Sequence, residues 1–179
     1  MPTGTSVDRR AIAGEMDQAQ QAFHRLLEHA TDTDLRRRSN GTKWTNEQLL
    51  FHMLFGYLIT RALLVLVRIF ARLPRGASRA FAQLLDAARG RFDLINYLGS
   101  CAGARIIPYS HMRDSLDRVI AALERRLDTE RDAALRRGMH YPTTWDPFFT
   151  SHMTLADVYR YPTQHFNYHR EQLTLTNTG

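Results

Sequence analysis

Apolar residues recur at helical spacing along four long segments of the chain. No segment of useful length alternates apolar and polar residues with the period of two that a half-buried strand needs. That pattern excludes sheet-based architectures and leaves helices packed on helices. The first segment runs from about Val7 to Arg37, with Ile12, Met16, Ala19, Phe23, Leu26 and Ala30 spaced four and three apart, the stripe of a bundle helix. The second follows the break Ser39-Asn40-Gly41. There Thr45 to Gln48 reads as a capping box, and the helix it opens can run to Leu73, ahead of Pro74. A third spans Tyr109 to Thr129, with Tyr109, Met112, Leu116, Val119, Leu123 and Leu127 on one side. The fourth begins near Thr154, capped by Asp157, and continues to about Leu173. The expectation is an all-α, four-helix bundle.

Helices two and three are separated by a long helical insertion, Pro74 to Pro108, with a shorter helix from Ser78 to Arg89 and another near Phe92 to Leu98. Its position suits a lid or a dimer contact. The segment Gly138 to Ser151, rich in Pro, Thr and aromatics, is a loop crossing between helices three and four. With 44% apolar residues, a chain of 179 can bury one continuous core, so residues 1–179 are expected to form one domain.

The apolar density of Leu49 to Val67 raises the question of a membrane span. Arg61, Arg68 and Arg72 argue against it. At 100° per residue they fall within roughly 20° of one another, a polar stripe with apolar flanks. This is a helix buried on most of its circumference, its second flank covered by the insertion or by another subunit. The N-terminal stretch has no basic region followed by an apolar core and a small-residue cleavage site, so a cytoplasmic location is expected. A single cysteine, Cys101, rules out an intrachain disulfide and any multi-thiolate site. Lys43 is the only lysine among 24 basic residues, a bias that points to GC-rich codon usage. The runs Arg36-Arg37-Arg38, Arg125-Arg126 and Arg136-Arg137 sit at the ends of separate helices among acidic residues. They read as solvated surface, and nucleic acid is not expected as a partner despite the net charge of +6.

Chemistry concentrates on three histidines. His165 and His169 stand at i and i+4, so their imidazoles leave one helix face a turn apart, within reach of a common ion. Composition alone yields such a pair about a third of the time in a chain with eight histidines. The helical wheel adds a constraint. Val158, Tyr161 and Gln172 share the histidine face, while Arg160, Asn167, Arg170 and Thr174 lie opposite. In helix two, His52 falls opposite the arginine stripe, in line with Gln48 and Gly56. All three histidines therefore face the core, and Gly56 leaves space beside His52. Three imidazoles from facing helices of a bundle suit a divalent metal with an open fourth position. Zinc or nickel fits first, and iron or cobalt also suits imidazole.

The segments W-T-N-E-Q-L-L-F-H (Trp44 to His52) and M-T-L-A-D-V-Y-R-Y-P-T-Q-H-F-N-Y-H-R-E-Q-L (Met153 to Leu173) resemble the DinB/YfiT-like superfamily of metal-dependent enzymes. The long insertion after Leu73 departs from its shortest members. The resemblance implies a four-helix bundle with an unusual connection, a three-histidine metal centre on His52, His165 and His169, and a homodimer. It further implies thiol-dependent transferases and isomerases using bacillithiol, mycothiol or glutathione, alongside hydrolases. A metal with an open site can hold a thiol as thiolate or acidify water. The arginine-rich composition suggests a GC-rich bacterial source, where mycothiol-using relatives are common. S-transfer with a mycothiol-type thiol is therefore the first expectation, acting on a small-molecule substrate.

Other residues carry two readings each. Gln48 either supports His52 or completes the helix cap. Tyr161 and Tyr168 either donate a proton near the site or pack in the core. Asn96 either reaches the pocket from the insertion or ends a helix. Arg105 is a candidate partner for the carboxylates of a thiol cofactor. His24, His29, His111, His140 and His152 read as surface or structural. Two other classes stand beside the enzyme: a non-catalytic dimeric metal-binding or stress-related protein, and a DNA-associated one.

Overall fold

The computed structural model describes residues 7–176. Residues 1–6, the start of the N-terminal stretch in which no secretory signal is expected, lie outside the described residues. Four long helices make the bundle: α1 (Arg9–His29), α3 (Asn46–Phe70), α6 (Tyr109–Thr129) and α8 (Leu155–Arg170). Their buried faces supply one core, including Ile12, Met16 and Phe23 from α1, Met53, Leu54 and Tyr57 from α3, Met112 and Leu116 from α6, and Val158, Tyr159 and Phe166 from α8.

Local chemistry sets the helix starts. Thr45 and Thr154 each accept from the backbone N–H three residues on, while Gln48 and Asp157 return the bond to the cap backbone. Thr31 does the same with Asp34, and this shortens the first expected helix. The stripe that pointed to Arg37 is broken at Ala30, and α2 (Asp32–Arg36) starts afresh from its own capping box.

The insertion is a pair of helices, α4 (Arg75–Ala87) and α5 (Arg89–Ile106), the second far longer than the expected stretch near Phe92 to Leu98. Gly103 lets α5 settle on α3: a Cβ there would lie 2.1 Å from Phe51 Cζ. The rings of Phe70 and Phe81 pack 5.0 Å apart between α3 and α4. The insertion thus covers part of the second apolar flank of α3, while Val65 and Ile69 stay roughly half exposed. One short helix, α7 (Asp132–Leu135), follows α6. The crossing loop is held at its ends by the antiparallel pair β1 (Gly138–Met139) and β2 (Met153–Thr154), a strand pair too short for sequence periodicity to reveal.

Of the described helices, α3 is the one long and apolar enough to cross a membrane, and more than half of its apolar window is buried inside the fold. Packed against α5, α6 and α8, it is the core helix of the bundle.

Candidate metal centre

His52 lies in the second turn of α3, and His165 and His169 in the last two turns of α8, where these helices pack side by side. All three are buried, at 4%, 4% and 8% exposure. Their ring centroids form a near-equilateral triangle: 4.8 Å from His52 to His165, 4.7 Å from His52 to His169 and 4.5 Å from His165 to His169. One ring nitrogen from each lies within 4.8 Å of the other two.

Each ring is oriented from behind through Nδ1. His165 Nδ1 lies 3.0 Å from Asp146 Oδ2, His52 Nδ1 3.0 Å from Ser100 Oγ, and His169 Nδ1 2.6 Å from Gln172 Oε1. An ionised carboxylate only accepts, so Nδ1 of His165 donates to Asp146 and Nε2 is the nitrogen left for a ligand. That Nε2 atom is buried and has no hydrogen-bond partner. A buried polar atom without a partner carries a substantial desolvation penalty, and a metal ion would supply the partner. Carboxylate, hydroxyl and amide groups behind the imidazoles are the supports that fix tautomer and ring orientation at metal sites. The donor set therefore fits a divalent cation of imidazole preference.

The electrostatics agree. Burial, and then the neighbouring His165 and His169, push His52 well below the ordinary imidazole value. Burial and His165 bring His169 down to about 4, against the opposing Gln172 bond and Asp146 charge. Both rings are therefore neutral and ready to donate at pH 7. Burial alone would raise the Asp146 carboxyl. The bond and charge of His165, the Phe148 N–H at 2.9 Å and the Tyr161 hydroxyl at 3.0 Å together hold it below its usual value. Tyr161, buried beside that carboxylate, is pushed well above 10 and keeps its proton.

A cleft of about 660 Å³ opens beside His169. Trp44, Tyr97 and Tyr168 give it aromatic walls, and Lys43, Asp93 and Asn96 add polar groups. Trp44 stacks on His52 with centroids 4.5 Å apart and planes 27° from parallel, joining the cleft to the triad.

A family model described as the DinB superfamily matches residues 15–173, nearly the whole chain. This chain belongs to the DinB superfamily. No curated protein and no solved structure gives a significant match. Within the DinB fold, the insertion supplies one wall of the cleft through α5 and the support of His52 through Ser100.

Gln48 completes the cap of α3, its Oε1 accepting the Thr45 N–H at 3.0 Å, and has no bond to His52. Asn96 does line the cleft, from within α5 rather than at a helix end. Tyr161 meets the site indirectly through Asp146, and Tyr168 lies half exposed at the cleft with its ring 5.1 Å from that of His169. Arg105 is exposed in the last turn of α5 and does not line the cleft, where the cation is Lys43. His24 pairs with Asp117, His29 with its own helix backbone, and His140 with Ser78. Asp146 and Ser100 carry no signal in the sequence. They lie in a loop and in a weakly patterned helix, where no periodicity marks an inward residue.

Proposed function

We propose that this chain is a metal-dependent enzyme in which His52, His165 and His169 bind one divalent ion, zinc or nickel before iron or cobalt, and act on a small molecule in the adjacent cleft. The observation that carries the reading is the buried, partnerless Nε2 of His165 within a triad whose three Nδ1 atoms are each held from behind. When bound, such an ion supplies Lewis acidity, holding a thiol as thiolate or lowering the pKa of water.

S-transfer from a low-molecular-weight thiol such as mycothiol is the first reaction proposed. Imidazole ligates as an uncharged group, so three of them would leave the charge of a divalent ion uncompensated, which favours an anionic ligand at the open position. Trp44, Leu94, Tyr97 and Tyr168 offer apolar contact for the body of such a ligand, and Lys43 offers a cation for a carboxylate. A hydrolase is the second reading, favoured by Asp93, the one carboxylate lining the cleft. Asp146, Ser100 and Gln172 orient the rings in either case. The exposed strip at Val65 and Ile69 is where the expected homodimer would bury α3.

The test is elemental analysis of untagged protein, wild type against His165→Ala, followed by thiol-transfer assays with a generic electrophile before and after chelation. One ion per chain that is lost in the variant, with transfer that disappears on chelation, is expected. No metal after reconstitution would overturn the site, and metal-independent transfer would overturn the reaction.

A further inference from the structure

A second cavity, of about 290 Å³, lies at the other end of the bundle, between the C-terminal turns of α3, the α7 segment and the start of α8. Arg68 and His52 are 16 residues apart on one helix, which puts the cavity about 24 Å from the histidines. Arg68, Arg72, Arg131 and Arg137 line it, Ala71 and Leu155 are among its apolar walls, and no carboxylate does so. Arg68 is committed to Glu130 and to the Leu64 carbonyl. Arg72, Arg131 and Arg137 make no ion pair and no side-chain hydrogen bond among the described residues.

Cations at the end of α3 complement its macrodipole, which accounts for Arg68 and Arg72. It does not account for Arg131 and Arg137, which come from a separate segment and face the same recess. The nearby carboxylates do not neutralise them: Glu130 is engaged by Arg68, Arg126 and Tyr159, and Asp132 by Arg9. A recess lined by one sign of charge concentrates the opposite sign, and guanidinium forks match phosphate oxygens in pairs. Nucleic acid takes an extended row or face of cations. This is a recess near the small end of the range for ligand pockets, roughly 300 Å³ upward.

We propose that this recess is a second binding site, for a compact polyanion: a phosphate group, free or carried by a small molecule. It is independent of the histidine centre and of any reaction there.

Inorganic pyrophosphate is the probe, titrated at low salt into the full-length protein by calorimetry and followed by backbone amide shifts. One-to-one saturable binding is expected, with shifts centred on Ala133, Ala134 and Leu155. Arg131→Gln with Arg137→Gln should weaken it at least about tenfold, as loss of charge-assisted bonds implies, with an unchanged circular-dichroism melt. Arg72→Gln is an independent second variant with the same expected direction, and His165→Ala should leave the affinity unaltered. Equal binding by the arginine variants would overturn the site. So would shifts confined to the histidine end and abolished by His165→Ala, or an absence of saturable binding. An oligonucleotide that binds and that pyrophosphate fails to displace would replace the proposal with a nucleic-acid surface.

Discussion

Gly56 of α3 faces the imidazole of His165 so closely that a Cβ at position 56 would stand 2.8 Å from His165 Cδ2. The ring has little room to retreat, because Asp146 holds its Nδ1 and His52 and His169 flank it. Gly56→Ala is therefore expected to displace the ring and weaken metal binding by about tenfold or more, equivalent to about 1.4 kcal/mol. Stability responds differently. Replacing a mid-helix glycine by alanine gains about 1 kcal/mol, while overpacking costs about 1–3 kcal/mol. The metal-free variant should be destabilised by no more than about 2 kcal/mol. Metal titration and thermal melts of the same preparation separate the effects, and unchanged metal affinity would show that the close approach is irrelevant to the site.

Asp146 serves two neighbours at once, accepting from His165 Nδ1 and from the Tyr161 hydroxyl through the same oxygen. Asp146→Asn keeps the shape and removes the charge, so metal affinity should fall about 10–100-fold, the usual consequence of losing such a support. Asp146→Ala also strands a buried tyrosine hydroxyl, which costs about 1–3 kcal/mol. Its melting temperature should fall below that of the asparagine variant. Equal melting of the two variants would indicate that Tyr161 gains nothing from an acceptor at position 146.

The metal-free protein should lose stability as the pH falls from about 6.5 toward 4. The sign follows from the depressed imidazoles. His169 takes up its proton near 4 when folded and near the model value of 6.5 when unfolded, and His52 is shifted in the same direction. Between those values the unfolded chain binds more protons, so unfolding becomes easier as acid is added, and above 6.5 the contribution is fully present. For His169 alone the drop from 6.5 to about 4 corresponds to about 3 kcal/mol. Urea melts of chelator-treated protein at several pH values measure it. A flat stability profile across that window would contradict the buried, neutral assignment.

Local signals located the bundle helices because each is written within a few residues. The segment from Tyr109 to Thr129 matches α6 at both ends, and the threonine caps place the starts of α3 and α8. The extent of α5 was not legible, since its ends carry no side-chain cap and much of its apolar surface is exposed. The inward faces of His52, His165 and His169 followed from helical geometry alone. The same geometry put Gln172 on the histidine face without marking it as the support of His169, a bond made just beyond the end of α8. Asp146 reaches His165 from an irregular loop, and Ser100 reaches His52 across a tertiary contact, so neither leaves a mark in a one-dimensional pattern.

Gln172 allows a test in which two substitutions at one position are expected to part in metal affinity, one weakening it and the other not. Its Oε1 accepts from His169 Nδ1 at 2.6 Å, while its backbone carbonyl is tied to the Asn40 N–H at 2.7 Å. Gly41 makes that turn possible, since its φ of 69° is one that other residues adopt at a penalty. The backbone at 172 is thus anchored independently of the side chain, and truncation to alanine should remove only the support of His169. Metal affinity is expected to fall about tenfold in Gln172→Ala. Gln172→Glu retains an acceptor and adds negative charge behind the imidazole, which raises the basicity of the opposite nitrogen. Its affinity should equal or exceed that of the wild type, with binding that survives to lower metal concentration at pH 7. If both variants weaken binding alike, the Gln172 side chain holds the end of α8 rather than the ring of His169.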